Sequence, residues 1–213
     1  MPPIRRVRQH VNPLSSKYAN PAEVPDWSEV FANSRLPLHL DIGCGKGDFV
    51  REMAARLPAW NFLGLEIREP LVDRALIRRD QALQKNLHFV FCNANNSLRP
   101  LLADWPGGCP LQCVSIQFPD PWFKKRHQKR RVVQPELVDV LAEQMPSGGM
   151  VWLQSDIEEV CAEMCDRFDE NSAFVREGAS WLSESPFPAQ TDRERVTQEK
   201  GLPVYRAKYI RDR

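Results

Sequence analysis

Phe118-Pro119-Asp120-Pro121-Trp122 runs straight into Lys124, Lys125, Arg126, His127, Lys129, Arg130 and Arg131. Prolines on both sides of Asp120 remove backbone donors and fix φ, so the acid is expected in an extended turn rather than a helix. Six of the eight residues from Lys124 to Arg131 are Lys or Arg, a density that most simply meets phosphates. A stiffened carboxylate would then stand beside a grip for a polyanion. Such a run can also be plain solvated surface, and the tract by itself does not decide.

A second motif breaks the tie. The apolar run Leu36 to Ile42 leads into Gly43-Cys44-Gly45-Lys46-Gly47, followed by the helical spacing of Phe49, Val50, Met53, Ala54 and Leu57. Strand, glycine turn and helix in that order let backbone approach a ligand and offer it free N–H groups. A dinucleotide fingerprint needs G-x-G-x-x-G, and the last position here is Asp48. The strand-ending acid Asp41 disfavours a nearby pyrophosphate and favours a cation such as the amino end of methionine or its sulfonium. S-adenosylmethionine therefore fits better than NAD. Glu66, near the end of the next strand (Asn61 to Ile67), stands where a carboxylate bonds ribose hydroxyls in such folds.

The elements that must position these residues alternate along the chain. Besides the first two strands, strands are expected at Leu87–Cys92, Cys113–Phe118, Met150–Gln154, Phe174–Glu177 and Val204–Ile210. Helices fit Pro70–Leu83 and Pro135–Met145, with another opening at Asp156-Ile157-Glu158-Glu159, whose acids suit the helix dipole. This alternation points to a doubly wound α/β sheet, whose ligands sit beyond the carboxyl ends of the strands. Asp41, Glu66, Asn93, Asp120 and Asp156 all fall at such ends, so the glycine turn and the Asp120 loop should face one cleft. Any one of them could instead cap a helix, Asp156 above all.

Composition agrees with one compact enzyme domain: 213 residues, 42% hydrophobic and 27% charged. The net charge is only +1, so affinity for nucleic acid must come from local clustering. No stretch approaches a membrane span, and Ile4-Arg5-Arg6-Val7-Arg8 lacks a signal peptide's apolar region, which reads as a cytoplasmic protein. Six cysteines show no zinc or disulfide spacing; Cys161 and Cys165 share a helix face as reduced thiols, and no metal is expected.

Asp41-Ile42-Gly43-Cys44-Gly45-Lys46-Gly47, Gly64-Leu65-Glu66-Ile67-Arg68, the Phe118-to-Arg131 tract, Gln154-Ser155-Asp156 and Thr191-Asp192-Arg193-Glu194 occur in that order. From about Leu38 onward the chain resembles the bacterial tRNA (guanine-N7)-methyltransferases, which use S-adenosylmethionine to make 7-methylguanosine at position 46 of the tRNA variable loop. The resemblance implies a Rossmann-like class I methyltransferase with a mostly parallel seven-stranded sheet and helices on both faces. It implies an arm with a lead-in helix over 1–35, partly flexible, and a single catalytic domain over 36–213.

Carried over by position, Asp41, Gly43, Gly45, Glu66, Asn93 and Asp120 would bind S-adenosylmethionine, with Asp120 also at the reaction centre. Lys124, Asp156, Thr191, Asp192, Arg193 and Glu194 match substrate-binding positions. Asn93 replaces the family's common Asp, and its amide can still accept from the adenine amino group. Asp41 replaces a frequent Glu and keeps the charge. The partner implied is tRNA, with the chain acting as a monomer or homodimer and no helper subunit expected if bacterial.

Guanine N7 carries a lone pair and no proton, so attack needs no general base, and Asp120 is expected to orient rather than deprotonate. Its carboxylate, or that of Asp156, could accept from guanine N1–H and the 2-amino group. Reaching N7 implies extruding the nucleotide; Trp122 or Phe123 could stack on it, or Trp122 could simply pack the loop. Lys124 to Arg131, with Arg5, Arg6 and Arg8, would hold the backbone. Two other readings remain: an exocyclic-amine methyltransferase, whose Asp/Asn-Pro-Pro-aromatic loop is similar but needs a second proline, and an RNA-binding module with a relict pocket.

Overall fold

The computed structural model describes residues 11–212 except 104, 106–107 and 109–110. The arginines at 5, 6 and 8 and Cys109 thus lie outside the described residues. Seven strands form one sheet: β1 (Leu38–Ile42), β2 (Asn61–Glu66), β3 (Leu87–Phe91), β4 (Leu111–Gln117), β5 (Met150–Ser155), β6 (Phe174–Arg176) and β7 (Tyr205–Arg211). Their order is β3-β2-β1-β4-β5-β7-β6. The first five run parallel, and β7 is antiparallel to both of its neighbours.

The chain steps outward from β1 through β2 to β3, then returns to place β4 on the other side of β1. Connections that leave β1 and β4 in opposite directions open a crevice at their carboxyl ends. Asp41 and the residues following Gln117 lie at that point.

The two sheet faces differ, as alternation along each strand requires. Leu38, Leu40 and Ile42 join the larger core with Leu63, Leu65, Val114 and Ile116. On the other face His39 packs against Phe49, Phe62 and Phe187, with Trp152 also meeting Phe187. This second face carries the polar side chains that reach the site.

Helices are α1 (Trp27–Val30), α2 (Asp48–Arg56), α3 (Glu69–Gln81), α4 (Ala94–Ala103), α5 (Pro135–Gln144), α6 (Glu158–Asp169) and α7 (Asp192–Glu199). The sequence pattern does not announce α4 or α7. In α4, Pro100 and the opening Asn-Asn-Ser count against a helix, but Leu98, Leu101 and Leu102 bury against the larger core. The segment before β1 lies on α4: Asn96 Nδ2 donates to Tyr18 O at 2.7 Å, and Trp27 Nε1 to Leu101 O at 3.1 Å. Trp27 also stacks on Trp105, ring centres 4.6 Å apart. Among the described residues, no helix is long and apolar enough to cross a membrane.

Candidate functional site

The site is built on the glycine turn between β1 and α2. Gly43 and Gly45 both have positive φ, at 82° and 60°. A side chain on Gly43 would meet nothing within 4 Å, and one on Gly45 would reach only Arg68 Nη2 at 4.0 Å. Both positions therefore face open space where a ligand can approach the backbone. Gly47 also has a positive φ, of 75°, but an added Cβ would lie 2.4 Å from the Phe89 ring, so packing as well as conformation demands glycine there.

Two carboxylates flank the turn. Glu66 is buried, and its Oε2 accepts from Gly45 N at 2.9 Å and from Arg68 Nη2 at 3.0 Å. Its Oε1 accepts from the Arg68 backbone and Nε, each at 2.9 Å. Hydrogen bonding to Glu66, reinforced by the charges of Glu66 and Asp120, raises the pKa of Arg68.

Asp41 is 4% exposed and accepts from Ser115 Oγ at 2.6 Å, while His39 Nε2 lies 2.9 Å from the same hydroxyl. Burial pushes the Asp41 carboxyl up to about 6, although Ser115 and the nearby Gln117 amide favour its ionised form. Burial pushes His39 down to about 3. A neutral imidazole, a hydroxyl and a carboxyl therefore form a buried chain ending at the cleft.

Asp120 follows β4, in an irregular segment as its flanking prolines require. Phe118 and Trp122, two residues before and after it, have φ of 49° and 44°. Such left-handed values are uncommon for bulky side chains and mark a loop held by its surroundings. Arg131 supplies part of that hold: its Nε donates to Pro121 O at 2.7 Å, and its Nη atoms pair with Glu159 and Glu163.

This corrects the expectation that the whole tract grips a polyanion, because Arg131 is only 5% exposed. The residues before it wind into a 3-10 segment, Lys125–Arg130. Lys124, Lys125, Arg126 and Lys129 face solvent. Arg130 lies over the Trp122 ring at 5.0 Å, with His127 at the ring's edge. Trp122 thus packs within its own loop, whereas Phe123 is 68% exposed.

Two cavities meet around Asp120. One is lined by Glu66, Asn93, Asn95, Trp122 and Val132; the other by Asp41, Gly45, Gln117, Phe123, Asp156 and Thr191. Gly43, Arg68, Phe118, Pro119 and Asp120 belong to both.

Asn93 also shapes the start of α4, accepting from Asn95 N at 3.2 Å. Asp156 takes no such role at α6, whose preceding Ile157 N bonds Ser155 Oγ instead; it accepts from Arg193 Nε at 2.9 Å. Thr191 caps α7 by accepting from Glu194 N at 3.0 Å, and Asp192 lies 3.9 Å from Lys46 across the cleft.

Two residues singled out from sequence lie outside both cavities. Lys124 is exposed on the basic loop, and Glu194 is 1% exposed, accepting from the buried Arg206 Nη2 at 2.8 Å. The site also includes residues the sequence reading passed over, namely Arg68, Gln117 and the His39–Ser115 pair. Only the Arg68 position, two beyond Glu66 at a strand end, offered a signal.

A family model described as "Putative methyltransferase" matches residues 35–207. The tRNA (guanine-N(7)-)-methyltransferase of Trichormus variabilis is 59% identical over 210 residues, covering 98% of this chain and 97% of that protein. The protein of the same name from Synechococcus elongatus is 58% identical over 207 residues, covering 97% and 96%. The 16S rRNA methyltransferase KamB has a similar fold, with a TM-score of 0.61 at 13% identity over 90% of this chain and 95% of that one. So does the aminoglycoside resistance methyltransferase NpmB1, with a TM-score of 0.60 at 15% identity over 89% and 94%.

Proposed function

The chain belongs to the tRNA (guanine-N7-)-methyltransferase family, and we propose that it methylates N7 of guanosine 46 in the variable loop of tRNA, using S-adenosylmethionine. The observation that carries this reading is the position of Asp120, on the wall common to the glycine-lined cavity and the cavity beside Asn93. The residues fit the cofactor. Buried carboxylates at Asp41 and Glu66 suit its cationic end and its ribose, Asn93 suits adenine, and Gly43 and Gly45 leave the space it needs.

When bound, S-adenosylmethionine supplies an electrophilic methyl that a ring nitrogen can accept without losing a proton. The protein's contribution is then chiefly positional, and holding reactants at near-attack distance can supply several kcal/mol. Asp120 orients the base, and its charge faces a purine ring that becomes cationic. Asp156 accepts from the Watson–Crick edge, with Arg193 beside it holding the carboxylate in place. Thr191 starts α7 so that Asp192 and Arg193 close the far wall. Lys124, Lys125, Arg126 and Lys129 hold phosphates, and Phe123 offers an exposed ring for stacking.

In the same reading Glu194 acts through Arg206 rather than by touching tRNA. The protein works in the cytoplasm as a monomer or homodimer, with no helper subunit if bacterial. Incubating the protein with labelled S-adenosylmethionine and unmodified tRNA, then mapping the product nucleoside, tests the assignment. 7-Methylguanosine at position 46 is the expected product. Label in an exocyclic amine, or none at all, would refute it.

A further inference from the structure

Ser115 stands opposite Asp41 in the β1–β4 pairing and is wholly buried. Its Oγ lies 2.6 Å from Asp41 Oδ1 and 2.9 Å from His39 Nε2. A hydroxyl has a single proton to give, and the shorter distance is that of an O–H bonded to a charged carboxylate. The proton therefore points at Asp41, and His39 Nε2 must carry the N–H that donates to the serine oxygen. The imidazole is neutral, because burial pushes it down to about 3, and its ring is otherwise packed against Phe49, Phe62 and Phe187. Neither Ser115 nor His39 lines either cavity, so any effect on a ligand must pass through Asp41.

We propose that Ser115, with its direction fixed by His39, is a positioning residue that acts through Asp41, supplying the hydrogen bond that holds this carboxylate ready for the cationic end of S-adenosylmethionine. The inference rests on the cofactor reading above. When Asp41 is protonated the chain loses its direction, because the carboxyl O–H can itself donate to Ser115, and the serine proton then needs an acceptor on His39 that only the other tautomer supplies. A cation arriving at the cleft selects the ionised form, for which the three groups are already aligned. The Gln117 amide also favours that form, whereas burial and the charge of Glu66 oppose it. Burial keeps the nearby Cys44 and Cys113 thiols protonated. Asp48, Arg68, Asp120 and the Lys46–Asp192 and Arg193–Asp156 pairs line the same cleft, and none of them changes when Ser115 is replaced.

The test is calorimetric titration of S-adenosylhomocysteine into wild type, Ser115→Ala and Ser115→Thr across the range in which Asp41 titrates. Wild-type affinity bends downward below about pH 6, where Asp41 takes up its proton. Loss of one hydrogen bond to a charged group moves that bend up by about one pH unit in S115A. S115A therefore binds about fivefold more weakly than wild type at about pH 6 and within about twofold of it at about pH 8, where both carboxylates are ionised. S115T keeps the hydroxyl and with it the wild-type bend. Nitrogen NMR of wild type with labelled histidine reads the direction of the chain, and the complex should show His39 protonated at Nε2.

A loss in S115A that is equal at every pH, which a packing role would give, would overturn the proposal, as would a profile that coincides with wild type or an S115T bend that moves with S115A. The NMR measurement needs no variant to fold, and His39 protonated at Nδ1 in the complex also overturns it. Wild-type protein that binds S-adenosylhomocysteine at no pH would overturn the cofactor reading itself, an outcome distinct from an unshifted variant.

Discussion

Asp41→Asn removes a carboxylate that a cationic ligand must find ionised, and whose proton it must displace below about pH 6. In the ligand-free protein burial raises this group from 3.8 to about 6, so the folded state binds the proton more tightly than the unfolded chain does. Stability is therefore lost as pH rises from about 4 to about 6, and ionised Asp41 costs roughly 3 kcal/mol at neutral pH at about 1.4 kcal/mol per unit. A ligand bringing an ammonium or sulfonium group favours the ionised form and recovers part of that cost. Affinity for S-adenosylhomocysteine, whose amino group stays protonated below about pH 7, should fall about tenfold per pH unit below about 6 in wild type.

D41N can still accept from Ser115, so the chain should fold. It should bind more weakly at pH 7 by about 1.5–3 kcal/mol, the worth of a hydrogen bond to a charged group, and show no such slope. His39 does not mimic this titration, since its pKa is pushed down to about 3. Calorimetric titration from pH 5 to 7 measures both curves. A flat wild-type profile, or a D41N slope equal to wild type, would refute the electrostatic role of Asp41.

Asp120→Asn should lower kcat by at least about tenfold, because its charge acts on the base; near-normal turnover refutes the placement. Replacing Lys125 and Lys129 by Gln should raise the KM for tRNA and flatten its salt dependence by about one log unit per lost phosphate contact, with no change in melting temperature. Arg131→Met should behave oppositely, costing about 1–3 kcal/mol in denaturant unfolding through the lost bonds to Pro121 and the Glu163 partner. Glu194→Gln leaves Arg206 buried without its charge partner and should cost about 3–5 kcal/mol; a variant of normal stability and weakened tRNA binding would instead make Glu194 a direct contact.

The strand-turn-helix pattern around Gly43 and Gly45, the stiffened Asp120 and the acids at strand ends were all legible in the chain. Each depends on local chemistry: φ restriction by proline, φ freedom at glycine, and the period of apolar residues. The seven strands were legible for the same reason, within a few residues at their ends. Helices α4 and α7 were not, because their local signals are poor and burial of one face of α4 and the Glu194–Arg206 pair of α7 supply what propensity lacks.

Tertiary structure alone decided which members of a charged or polar run face inward. Arg131 looks like its neighbours in sequence, but the approach of Pro121 and α6 turns it into a brace. Glu194 reads as part of a tRNA-binding motif, but β7 brings Arg206 against it. Gln117 is an unremarked polar residue at a strand end, and its amide comes near the buried Asp41 carboxylate only because β1 and β4 lie side by side. Backbone conformation is set by neighbours along the chain, whereas burial and pairing are set by neighbours across the sheet.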